Sequence, residues 1–188
     1  MLTSFSIATD DQLLKIPYRA SQGSGSPNIG FIDLKTQPER ITEIHELAGY
    51  PQLEELVRLL NKHESSFRTL RVDTAKDVFT RQGFTTSVFS HLTISFENLG
   101  GEDDRRFYIE AHRFLSVYVS SLPASDAIVI NFVAVPLRVQ TFRGWCLDVR
   151  LYGFGNSEDE ANQHWFSGLT LLKKFLLRLD EENRNNPN

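Results

Sequence analysis

AIVINFVAV, residues 127–135, is apolar at every position except Asn131. In an extended chain, successive side chains point to opposite faces. Val129, Val133 and Val135 then share one face, and Ile128, Ile130 and Phe132 the other. A strand apolar on both faces belongs inside a sheet with cover on each side. Pro136 predicts its end, because proline brings no N–H to a ladder. Residues 139–154 then alternate, with Trp145, Leu147, Val149 and Leu151 inward and Gln140, Asp148, Arg150 and Tyr152 opposite. Together the two segments predict a hairpin at the centre of the molecule.

Helices are predicted on both sides of this hairpin. Upstream, residues 104–122 place Phe107, Ala111, Phe114, Leu115, Tyr118, Val119 and Leu122 on one side at helical spacing, and Pro123 closes the element. Downstream, Ser157 and Glu160 form a capping box. The stripe Ala161, Trp165, Leu169, Leu172, Leu176 and Leu179 follows, with Lys173, Lys174 and Arg178 on the solvent side near the negative end of the helix dipole.

Further upstream, residues 86–97 read as a long strand, with Leu92, Ile94 and Phe96 on one face and His91, Thr93, Ser95 and Glu97 on the other. Residues 67–73 read as another strand. Thr74 and Asp77 are placed to cap a short helix ending at Gly83, and residues 98–104 (NLGGEDD) break the chain after the long strand. Near the start, residues 2–8 alternate weakly and residues 28–34 suggest a second short strand. Between them, ASQGSGSPN at 20–28 reads as a flexible loop. Thr36 and Glu39 have capping-box spacing, with Pro38 in the first turn and Ile41, Ile44, Leu47 and Ala48 at helical intervals before Gly49. Pro51 opens a second helix with the stripe Leu53, Leu56, Val57 and Leu60, so the pair reads as a helical hairpin.

The expected fold class is α+β: a mainly antiparallel sheet packed by helices, including an N-terminal helical hairpin and a long C-terminal helix. The expected organisation is an N-terminal strand and loop over 1–28, a single domain over 29–180 and a disordered polar tail over 181–188. Among the 188 residues, 40% are hydrophobic and 14 are phenylalanine, ample for one core.

Net charge is −4, and the arginines are mixed with acids. Nucleic-acid binding, which needs clustered cations that release counterions, is therefore not expected. The apolar runs fall short of the roughly 20 residues of a membrane span. Residues 1–8 lack a cationic start, and Asp10 and Asp11 interrupt any apolar leader. Cys146 is the lone cysteine, which suits a reducing compartment. A cytoplasmic protein with no membrane partner is expected.

Motifs for chemistry are missing from the sequence. Gly25 and Gly30 have the spacing of a phosphate loop, but Phe31 and Ile32 stand where Lys and Ser or Thr are required. A dinucleotide fingerprint from Gly23 and Gly25 fails at Asn28. His45, His63, His91, His112 and His164 are scattered, and adjacent helical residues point about 100° apart, so no metal or cofactor is expected. The hydrolase elbow Gly-x-Ser-x-Gly is absent, and Cys146 has no histidine near it in sequence. Four polar residues remain as candidate ligand contacts: His112 at the margin of a helical stripe, and Asp148, Arg150 and Tyr152 on one strand face. His164, beside Trp165, reads as structural.

One feature favours interaction over catalysis. Ile109 and Val117 on the helix at 104–122, and Phe166, Leu171 and Leu177 on the last helix, are apolar beyond the main stripes. A helix apolar around more than half its circumference needs cover on two sides. The leading expectation is a non-enzymatic interaction module (adaptor, regulatory or chaperone-like) that binds a protein partner or itself as a homodimer, with these five residues at its interaction surface. The alternative is a small enzyme or small-molecule-binding protein with a pocket between sheet and helices.

Overall fold

A computed structural model describes residues 1–19, 30–77, 79–96, 108–109, 112–113, 115–117, 126–140 and 142–185. Six strands form one sheet: β1 Leu2–Ile7, β2 Leu14–Ile16, β3 Phe67–Lys76, β4 Thr86–Phe96, β5 Ile128–Val139 and β6 Phe142–Gly155. The order is β1-β5-β6-β4-β3, and β2 continues beside β5 where β1 ends. Two helices are described end to end, α1 Pro51–Leu60 and α2 Glu158–Asn185. Described residues between Tyr108 and Val117 are helical as well. The loop expected at 20–28, the break at 98–104 and residues 186–188 lie outside the described residues, as does most of the stripe expected over 104–122.

The central hairpin forms as its pattern predicts. β5 and β6 pair antiparallel from Ile128↔Gly153 to Val139↔Phe142, and Gln140 turns the chain with φ 54°. β4 pairs antiparallel with β6, and β3 with β4. β1 and β2, however, both run parallel to β5, so the sheet is mixed rather than mainly antiparallel.

Pro136 explains how. β5 does not end there but continues to Val139. The Ala8 N–H donates to the Ala134 carbonyl at 2.8 Å, so even-numbered backbone groups of β5 face β1. Proline 136 therefore turns its missing donor to that side, in the interval between Ile7↔Ala134 and Leu14↔Leu137 where neither strand pairs. The sequence pattern carries no sign of a partner on that flank, and this is why the parallel strands were not legible.

The expected helical hairpin is also corrected. α1 forms with Pro51 in its first turn, but residues 38–47 make two short 3-10 turns, Pro38–Glu43 and His45–Leu47. Ile44 interrupts them with extended geometry, φ −81° and ψ 96°. Thr36 donates its hydroxyl back to the Asp33 carbonyl at 3.2 Å instead of capping. The β-branched Ile41, Thr42 and Ile44 add little helix propensity, and burial of Ile41 and Leu47 settles the shape. The helix expected after Thr74 is replaced by β3, which runs to Lys76. Asp77, at φ 55°, accepts from the Thr86 hydroxyl and the Ser87 N–H, closing the β3–β4 connection. The short strand comes from Leu14–Ile16; residues 30–34 are not strand, although Ile32 and Leu34 enter the core.

The described helices pack on one face of the sheet. Ile128, Ile130, Phe132, Leu147, Val149, Leu151, Leu92 and Ile94 meet Trp165, Leu169, Leu172 and Leu176 of α2 there. Trp165 donates its indole N–H to Ser90 Oγ at 3.0 Å, and the Ser157 hydroxyl accepts from the Glu160 N–H at 3.2 Å, as the capping box predicts. α2 runs on to Asn185, through most of the segment expected to be a disordered tail. Glycines set the seat of α2. A Cβ on Gly153 would strike the backbone nitrogen of Trp165 and the carbonyl of Ala161, neither of which can rotate away. Gly153→Ala is expected to cost about 3 kcal/mol, read as a drop in the urea midpoint at constant slope; an unchanged midpoint would show that α2 does not sit so close.

Candidate functional site

The other sheet face carries no helix among the described residues. Its two ends are covered by connections. At one end Phe79 lies over Phe89 and Tyr152, with ring centroids 4.8 and 5.0 Å away, and Phe84 approaches Phe154 at 6.0 Å. At the other end Ala8, Ile16, Leu70, Val135, Leu137 and Cys146 form a second small core, joined by Tyr18 and Phe31.

Strand register places a polar row between these ends. Asp73 pairs with His91, His91 with Arg150, Arg150 with Asn131 and Asn131 with Ser4, so one row crosses five strands on the helix-free face. The neighbouring row Phe89–Tyr152–Val129–Leu2 is aromatic and apolar. On the opposite flank lie Thr93 and Asp148, also paired.

Asp148 is the electrostatic centre. It is buried, and its Oδ2 lies 3.0 Å from His91 Nε2 and 3.7 Å from a terminal nitrogen of Arg150. Its Oδ1 accepts the Thr93 hydroxyl at 2.6 Å. Burial pushes the carboxyl pKa up, but the hydrogen bond and charge of His91, the Thr93 hydroxyl and the Arg150 guanidinium outweigh it and hold it below its ordinary value. Arg150 is half-exposed, and Asn131 accepts the Ser4 hydroxyl at 2.8 Å. Burial also pushes the Tyr152 phenol up.

Of the four candidate ligand contacts, Asp148, Arg150 and Tyr152 share this face. His112 does not join them. Its ring sits between Phe5 and Phe132, at centroid distances of 5.3 and 5.8 Å on the helix-bearing face, and its Nε2 lies 3.1 Å from Ser116 Oγ. Burial lowers its pKa. His164 is tied to the Phe154 carbonyl at 2.6 Å. Cys146 is buried, with its thiol pKa pushed up by burial and by the Asp148 charge, which disfavours the reactive thiolate. His91, Thr93, Asn131 and Ser4 were missed. Alternation put His91 and Thr93 on the right strand face, but only the register shows that this face is the one holding Asp148.

The five apolar interaction candidates separate. Val117 is 74% exposed and Phe166 46%, whereas Ile109, Leu171 and Leu177 are partly buried, Leu171 against the main core. Phe166 lines a groove of about 600 Å³ with Tyr50, Gln52, Lys76 and Trp165. A cavity of about 590 Å³ lies beside β3, lined by Tyr18, Ile32, Leu34, Ile44, Arg71 and Asp73 among others, and includes none of the four candidate contacts. Among the described residues no three His, Cys, Asp or Glu side chains stand together as metal ligands, and no helix is long and apolar enough to cross a membrane. Comparison with protein-family models, curated proteins and solved structures finds no match.

The Asp148 network makes a pH prediction. A carboxyl held down on folding stabilises fully above its unfolded pKa, about 3.9, and that contribution is lost as pH falls through the lower folded value. Asp148→Asn should lower stability at pH 7 by about 2–4 kcal/mol and flatten the acid limb below about pH 4, measured by urea unfolding from pH 2 to 7. Equal acid limbs in the two proteins would remove Asp148 as the titrating group.

Proposed function

We propose that this protein is a non-enzymatic interaction module, homodimeric and cytosolic, that holds a protein partner on the helix-free face of its sheet. The observation that carries this reading is the pairing of a polar row, Asp73–His91–Arg150–Asn131–Ser4, with an aromatic and apolar row on the face that carries no helix among the described residues. Arginine and tyrosine beside apolar area are the composition of interface centres. Catalysis fits the face poorly. The His91–Asp148 pair has Thr93 as its neighbouring hydroxyl, and that hydroxyl is buried and donated to the carboxylate. A buried thiol with a raised pKa makes no nucleophile, and it suits a reducing compartment.

A second reading, a small-molecule-binding protein or small enzyme, draws on the cavity beside β3, whose volume suits a drug-sized ligand and whose apolar lining carries Arg71 and Asp73.

Arg150→Glu and Tyr152→Ala test the first reading. Both should keep the wild-type circular dichroism spectrum and reduce recovery of co-purifying proteins at least about tenfold, the effect of losing an interface centre, quantified by mass spectrometry. If both variants retain every partner of the wild type, the face is not the working surface.

A further inference from the structure

We infer that two copies of the chain join along the outer edge of β1, pairing antiparallel about a two-fold axis so that two sheets continue as one. This deepens the homodimer part of the reading above by naming the surface, and it is independent of what the helix-free face binds.

The two edges of the sheet are built differently. β3 is defended. Arg68, Arg71, Asp73 and Lys76 lie along it, its register shifts between Thr69 and Arg71, and the turn His45–Leu47 lies beside it, with Thr74 donating to the Glu46 carbonyl at 2.8 Å. Charges, bulges and covering segments are the devices that keep an edge from pairing with another chain. Among the described residues β1 has none of them. LTSFSI contains no charge, no proline and no register shift.

Backbone direction shows what β1 leaves open. Since Ala8 donates to Ala134, the even-numbered groups of β1 face β5, and the N–H and C=O of Thr3, Phe5 and Ile7 point away from it. Among the described residues none of these outward groups has a hydrogen-bond partner. They call for an extended strand, and β1 itself meets the requirement. A two-fold axis through Phe5 sets Phe5 against the partner's Phe5 and Thr3 against the partner's Ile7, with about six ladder hydrogen bonds. The same operation sets Ser4 against the partner's Ser6. The uncharged edge adds no like-charge contact between two copies that each carry −4. Leu2 and Ile7, 43% and 46% exposed, lie on this strand. Val117 is held beside it, since Ser116 Oγ lies 3.4 Å from Thr3 Oγ1. A symmetric pairing of this kind is the commonest oligomer geometry.

The test uses the full chain at concentrations from nanomolar to hundreds of micromolar. Light scattering should give twice the chain mass of 21.5 kDa at the upper end, and amide exchange at Thr3, Phe5 and Ile7 should slow there and quicken on dilution. Ile7→Pro removes an outward N–H and spares the bonds to β5; it should raise the dimer Kd about 30-fold, as expected for two lost hydrogen bonds. Thr3→Lys adds a charge to the edge and should act in the same direction without touching the backbone. A mass of 21.5 kDa at every concentration overturns both the homodimer and its surface. A wild-type dimer that both variants preserve, with β1 amides exchanging fast throughout, keeps the homodimer and overturns the β1 edge.

Discussion

The close seat of α2 on β6 governs the molecule. Gly153 and Gly155 let the helix backbone approach the strand until a single added carbon would collide with Ala161 or Trp165. At that distance Trp165 reaches Ser90, and Leu169, Leu172 and Leu176 fill the space over Leu151, Val149 and Ile130. One face of the sheet thus holds the main core, with α1 and the helical residues around Tyr108 extending it. The opposite face receives connections at its ends, and its middle keeps polar side chains.

That division explains the polar network. A carboxylate in mid-sheet survives burial when its oxygens are occupied, and Asp148 has His91, Thr93 and Arg150 around it. Thr93 lies directly opposite Asp148 on β4, His91 lies diagonal to it, and Arg150 stands two positions along β6, so the central strands supply the network without help from loops. Arg150 alone reaches outward. The face sets fixed donors beside aromatic edges.

Much of this was legible in the sequence. Two-faced hydrophobicity at 127–135 and alternation at 139–154 predicted the hairpin, and the stripe from Ala161 to Leu179 with its Ser157 cap predicted α2. The failures share one cause: they concern partners distant in the chain. Parallel pairing of β1 with β5 leaves no local signature, so the sheet was expected to be mainly antiparallel. Ile41 and Leu47 have helical spacing, yet contacts with the core hold them in 3-10 turns. His91 looked solitary because Asp148 lies 57 positions on, brought near by the β4–β6 register. His112 looked promising because the sequence does not say which face of the sheet its helix covers.

The pairing of Leu2 with Val129 has a bearing on how the chain is made. Strands β3 to β6 reach one another through hairpins or one long connection, whereas the first strand bridges to the fifth across most of the polypeptide. Closing so large a loop carries an entropic penalty that later contacts must recover. On a ribosome, residues 2–7 emerge well before the β5 strand they pair with. Until β5 appears, an uncharged, β-prone hexapeptide therefore waits without its template, and that interval leaves the nascent chain open to a chaperone or to mispairing.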